Sequence, residues 1–132
     1  MQVRQLVSVI VMVLSSSAAL PGTNVPVPVI VKLNPDGSGF ASGSMSTARF
    51  SAHTLENIGC AVSGWSESNG NTRDGFCAAR TGGGILASCY ANDVKVLDAI
   101  HSISAYSIIS FRWDPEGICT SVQVYTHSGV IP

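Results

Sequence analysis

The sequence predicts a β-rich α+β fold: a small antiparallel sheet or sandwich of about five to six strands with one short amphipathic helix, stabilised by disulfides. Three observations carry that expectation. Short apolar runs are punctuated by clusters of Gly, Pro, Asn, Asp and Ser. The apolar spacing turns helical over only one stretch, residues 92–102. Four cysteines, Cys60, Cys77, Cys89 and Cys119, lie in a chain of 132 residues, and an even count in an exported chain reads as a disulfide framework.

Export is itself predicted from the first residues. Arg4 precedes the apolar run Leu6 to Leu14, and Ser15 to Ala19 supply small residues, with Ser17 and Ala19 placed for signal cleavage. This is the layout of a secretory signal peptide over 1–19. The run is too short for a membrane span, which needs roughly 20 apolar residues. Residues 20–132 hold six basic and eight acidic side chains, a net charge of −2. That balance argues against nucleic acid as a partner, and without clustered cations no stable membrane attachment is expected after cleavage.

Residues 20–38 form a Pro-rich N-terminal arm, and residues 39–132 a single domain. Pro21, Pro26 and Pro28 oppose helix, so the arm reads as either an edge strand through Val25, Val27, Ile30 and Val31 or a loose segment. Asn34-Pro-Asp-Gly-Ser-Gly39 is a turn, with Pro35 fixing φ and Gly37 accepting a positive one. Residues 40–45 read as a weak strand of small residues. Residues 54–63 place Ile58, Cys60 and Val62 on one parity. Strands at 76–81 and 85–91 flank Gly82-Gly-Gly84 as a hairpin. A three-residue loop there sets Cys77 opposite Cys89, which favours a Cys77–Cys89 bridge and leaves Cys60 for Cys119. All three pairings nevertheless remain open to the sequence.

From Asn92 to Ser102 the residues Val96, Ile100 and Ile103 recur at helical spacing beside Leu97, while Lys95, Asp98 and His101 turn outward. Asn92 or Asp93 provides the N-cap. The last hairpin joins 106–113 to 118–125 through Asp114-Pro-Glu-Gly117. Pairing 113 with 118 gathers Phe111, Trp113, Ile109, Ile118, Val122 and Val124 on one face, and leaves Cys119 with Arg112 and Tyr125 on the other. A loop ending in a Gly bulge would shift that register by one, and burial decides in favour of keeping the apolar set together.

Chemistry-bearing patterns are sparse. No Gly-x-Ser-x-Gly elbow occurs, and His53, His101 and His127 sit in no catalytic frame. Asp114 and Glu116 flank a turn, and Glu67 and Asp74 lack the enclosing cleft of a carboxylate pair. Asn34, Asp36 and Ser38 alternate like calcium ligands without the later Glu that such loops carry. No catalytic residue, metal ligand or cofactor is therefore assigned. The remaining candidate is 63–75, SGWSESNGNTRDG, read as a long polar loop. Its Trp65, Glu67, Asn69, Asn71, Arg73 and Asp74 could stack a ring and hydrogen-bond a protein or carbohydrate partner. The competing reading folds Trp65 back over the sheet edge.

Asn57-Ile-Gly-Cys60, Ala87-Ser-Cys89 and Ser110-Phe-Arg-Trp-Asp114 followed by Gly117-Ile-Cys-Thr120 together resemble a pattern in small exported bacterial proteins of unknown function. The resemblance spans roughly residues 39–132. It implies a secreted or periplasmic setting and no activity. The function expected is a secreted, non-catalytic binding or interaction module. The alternatives are a small secreted hydrolase or toxin-like effector using His53 or His127, and a self-assembling surface protein.

Overall fold

The computed structural model describes residues 25–67 and 70–126. The expected signal peptide, the start of the arm and His127 lie outside them. Among the described residues seven strands form two antiparallel sheets that face each other, with two helices at their margins. The four-stranded sheet has the order β1-β2-β6-β7, from β1 (Ile30–Leu33), β2 (Gly39–Ser44), β6 (Ile108–Trp113) and β7 (Cys119–Tyr125). The three-stranded sheet runs β3-β4-β5, from β3 (Asn57–Glu67), β4 (Gly70–Arg80) and β5 (Leu86–Ala91). This is the expected disulfide-stabilised, β-rich α+β architecture, with its strands divided between two layers.

Each sheet turns its small or apolar parity inward. Ala41, Ile109, Phe111 and Trp113 from the first meet Ile58, Cys77, Ala79, Ala87, Cys89 and Ala91 from the second. Phe111, Leu97 and Ile109 are the largest side chains fully withdrawn from solvent. Trp113 packs beside Phe111, ring centroids 5.8 Å apart, and its Nε1 donates to the Gly37 carbonyl at 3.0 Å. The indole also lies over Gly39, where a Cβ would meet its six-membered ring. The arm's turn is thus tied to the core, and its residues 30–33 are an edge strand.

The helix expected at 92–102 is α2 (Val94–His101), capped by Asp93, whose carboxylate accepts from Lys95 N at 2.8 Å and Val96 N at 3.2 Å. It buries Val96, Leu97 and Ile100, and Leu97 rests on Gly75, the close approach a larger residue would block. A second helix was not expected. α1 (Met45–Arg49) ends the predicted strand at Ser44, whose hydroxyl accepts from Thr47 N. Five residues are too few to imprint a helical period, so only the capping serine signals it.

The glycine hairpin has the expected register, with Arg80 opposite Leu86 and Cys77 opposite Cys89. The bridges differ from the expected ones: Cys60 bonds Cys77, and Cys89 bonds Cys119. The reason is the alternation of narrow and wide pairs across an antiparallel row. Cys60, Cys77 and Cys89 stand side by side across β3, β4 and β5. A Cα separation of 4.0 Å marks Cys60/Cys77 as the narrow, non-hydrogen-bonded pair. Cys77 and Cys89 are then the wide pair, in keeping with Tyr90 N–H pointing away from β4 to the Gly117 carbonyl at 2.9 Å.

The last hairpin also departs from its expected pairing. Phe111 faces Val122 and Ile109 faces Val124, two residues beyond the predicted partners, so the inward set is preserved. A bulge at Arg112/Trp113 absorbs the difference and sets Trp113 opposite Cys119. Cys119 is consequently buried rather than on the outer face with Arg112. Gly117, at φ 80°, supplies the left-handed turn residue.

Glu56 anchors the segment before β1. It accepts from Val29 N at 2.7 Å and from the Ser51 hydroxyl, and these bonds, Ser51 first, hold its carboxyl below the usual glutamate range. A depressed folded value adds stability that is present above the unfolded value, about 4.3, and fades as pH falls through the folded one.

Because Phe111 fills the centre, Phe111→Ala should lower unfolding free energy by about 3–5 kcal/mol. Urea denaturation followed by tryptophan fluorescence measures this, and a loss under about 1 kcal/mol would contradict the packing described.

Candidate functional site

The outward parity of the three-stranded sheet is where the sequence and the fold disagree about aromatic residues. Alternation along a strand sends Ile58, Cys60 and Val62 inward, so Ala61, Ser63 and Trp65 point the other way. On β4 the matching residues are Thr72, Asp74, Phe76 and Ala78, and on β5 they are Tyr90, Ser88 and Leu86. Trp65 is 51 %, Phe76 54 % and Tyr90 45 % exposed. No layer covers this face among the described residues.

Residues 63–75 are not the long loop expected. Pairing continues through Trp65 opposite Thr72 to Glu67 opposite Gly70, so β3 and β4 make a ribbon extending past the core. Composition misled here: Ser, Asn, Thr and Gly are poor strand formers, but a ribbon outside the core has no apolar side to display. Trp65 does not fold back to be buried; it is half exposed on the ribbon.

Phe76 and Tyr90 are direct cross-strand partners, a spacing of about 4.5–5.5 Å between Cβ atoms. Trp65 lies on the neighbouring strand, four residues along from Ala61, the partner of Phe76, or roughly 14 Å at the usual strand rise. Ser63 and Asp74 lie between Trp65 and the Phe76–Tyr90 pair, and Ala61 stands beside Phe76. Tyr90 Oη donates to Asp74 Oδ2 at 2.9 Å. That bond, followed by burial and the charge of Asp74, raises the phenol above its ordinary range. Phe76, Ser88, Tyr90 and Gly117 border one open depression of about 430 Å³, and Gly64, Trp65, Thr72 and Arg73 another of about 400 Å³.

Of the residues singled out from the sequence, the fold sets Trp65 and Asp74 on this face. Arg73 takes the opposite parity and pairs with Asp98 of α2 at 2.7 Å, although it borders the depression beside Trp65. Asn69 lies outside the described residues, as do the side chains of Glu67 and Asn71. Phe76, Tyr90 and Leu86 were missed because the strands bearing them read as ordinary hydrophobic segments. The signal available was the register itself: with Cys77 and Cys89 inward, their neighbours must point out.

Other sequence candidates are occupied structurally. Asp36 accepts from Ser38 N at 3.0 Å and Ser38 Oγ at 2.6 Å, closing the β1–β2 turn. Asp114 accepts from Ile118 N at 2.8 Å in the last hairpin. The Ser51 hydroxyl donates to Glu56 and accepts from the His53 backbone, so it forms no nucleophile–base pair with that imidazole. His101 is exposed at the end of α2. No group of three or more metal-binding side chains gathers among the described residues, and none of their helices is long and apolar enough to cross a membrane. No family model, curated protein or solved structure matches the chain.

The Tyr90–Asp74 bond has a direct spectroscopic consequence. In Asp74→Asn, one tyrosine titration followed by ultraviolet difference absorbance should move to lower pH, because the charge and acceptor that hold the proton are reduced. An unmoved titration would mean the bond does not persist in solution.

Proposed function

We propose that the protein is a secreted, non-catalytic binding module whose contact surface is the outer face of β3-β4-β5, and that its ligand is a carbohydrate. The observation that carries this reading is the exposure of Trp65, Phe76 and Tyr90 on one open sheet face. Large aromatics are ordinarily buried, so three exposed together point to a contact surface. An electron-rich ring face attracts the polarised C–H bonds of a sugar ring, and two stacking positions well apart along the strands suit an extended chain. Asp74, oriented by Tyr90, offers acceptor oxygens for hydroxyl groups beside the rings.

Two disulfides fit an oxidising, extracellular-type environment. The N-terminal leader pattern and the resemblance to small exported bacterial proteins support secretion. A hydrolase is less well supported, since the Ser51 hydroxyl donates to Glu56 and accepts from the His53 backbone N–H rather than pairing with an imidazole base.

The test is a binding screen of the oxidised protein against soluble and insoluble polysaccharides, with Trp65→Ala, Phe76→Ala and Tyr90→Ala beside it. Each substitution should weaken capture at least about tenfold, since a stacked ring contributes one of few strong contacts. Each should change stability by less than about 1 kcal/mol, since these rings lie outside the core. Sugar binding that survives all three, or no sugar binding at all, sinks the proposal.

A further inference from the structure

We infer that Cys60 is a site of attack by a low-molecular-weight thiol, and that its reaction is relayed through Cys77 to release the bond that ties the two sheets together. The two disulfides differ in what they join. Cys60–Cys77 links neighbouring strands of one sheet, whereas Cys89–Cys119 links β5 of that sheet to β7 of the other. They also differ in access. Cys89 and Cys119 are 4 % and 3 % exposed and Cys77 is fully buried, while Cys60, on the edge strand β3, is only partly buried. Cys60 is therefore the cysteine most open to a thiol from solvent, whereas Cys119, although it borders an open depression beside Lys95 and Val96, is itself almost fully buried.

The row geometry supplies the rest. Cys77 has Cys60 on one side and Cys89 on the other, all three on the inward face of the sheet. An external thiolate attacks Cys60 Sγ, forms a mixed disulfide there and expels Cys77 as a thiolate. Buried among apolar groups, that thiolate is poorly solvated, which makes it costly to hold and raises its intrinsic nucleophilicity toward a disulfide sulfur in reach. The Sγ of its cross-strand neighbour Cys89 is the disulfide sulfur beside it. Attack forms Cys77–Cys89, breaks Cys89–Cys119 and leaves Cys119 as a thiolate that takes a proton from water. One external thiol enters as a mixed disulfide and one protein thiol emerges, so no separate oxidant or reductant is needed.

The wide pairing of Cys77 with Cys89 makes the relayed bond the less well-fitted arrangement, although a separation of about 5.5 Å between Cα atoms remains within disulfide range. Native connectivity is favoured while Cys60 is uncapped, and the relay runs only when it is capped. The device converts a bond between sheets into one within a sheet, freeing β7 from β5 and moving the link inside the three-stranded sheet from β3–β4 to β4–β5.

The experiment exposes the intact oxidised protein to limiting reduced glutathione, quenches with acid, alkylates free thiols and maps all four cysteines by peptide mass spectrometry over time. The expected product carries glutathione on Cys60, a Cys77–Cys89 cross-link and an alkylated Cys119, with the glutathione adduct preceding Cys119 alkylation. An adduct at Cys60 with Cys77 alkylated and Cys89–Cys119 intact overturns the relay. Alkylation of Cys119 before any modification of Cys60 overturns it equally.

Discussion

The fold rests on one seam, where the edge of the three-stranded sheet meets the turn between β6 and β7. There Tyr90 N–H donates to the Gly117 carbonyl, and the neighbouring Cys89 is bonded to Cys119. The seam matters because the facing interior is built from small groups. Ala41, Ala79, Ala87 and Ala91 remove little apolar area each, and the larger burden falls on Phe111, Leu97 and Ile109. A bond closing a 30-residue separation reduces the unfolded chain's freedom by about 3–4 kcal/mol in the chain-entropy account, a large share of a small domain's margin. It also fixes which face of each sheet is inward.

Once the inward faces are fixed, the outer face of β3-β4-β5 is free of packing duty. Alanine and cysteine at the inward positions allow the sheets to close, and the large residues of β4 and β5, Phe76 and Tyr90, stand on the other side. The four-stranded sheet uses its outer face differently: Arg112 lies over the Phe40 ring at 4.8 Å, and Tyr125 donates to Gln123. The outer face of the four-stranded sheet thus carries a cation–ring contact, whereas that of the three-stranded sheet carries three half-exposed aromatic rings. The proposed binding surface and the proposed relay occupy opposite faces of the same three strands.

Much of the fold was legible because it follows from patterns local in sequence. The α2 stripe of Val96, Leu97 and Ile100, its Asp93 cap, and the glycine hairpin that sets Cys77 against Cys89 all arise within short windows. What escaped depends on three-dimensional parity. The bridges are decided by which side of Cys77 is hydrogen-bonded, a property of the ladder and not of spacing. Cys119 faces inward because a bulge at Trp113 changes the count. Residues 63–75 pair as a ribbon although their composition resembles a loop, and the sequence singles out Trp65 but not Phe76 and Tyr90, which share its exposed face.

Non-reducing proteolysis of the resting protein, with mass spectrometric assignment of the cross-linked peptides, addresses the seam most directly. The account requires Cys60 joined to Cys77 and Cys89 joined to Cys119. Cys77 joined to Cys89, with Cys60 joined to Cys119, would contradict the seam, since β3 rather than β5 would then be held to β7.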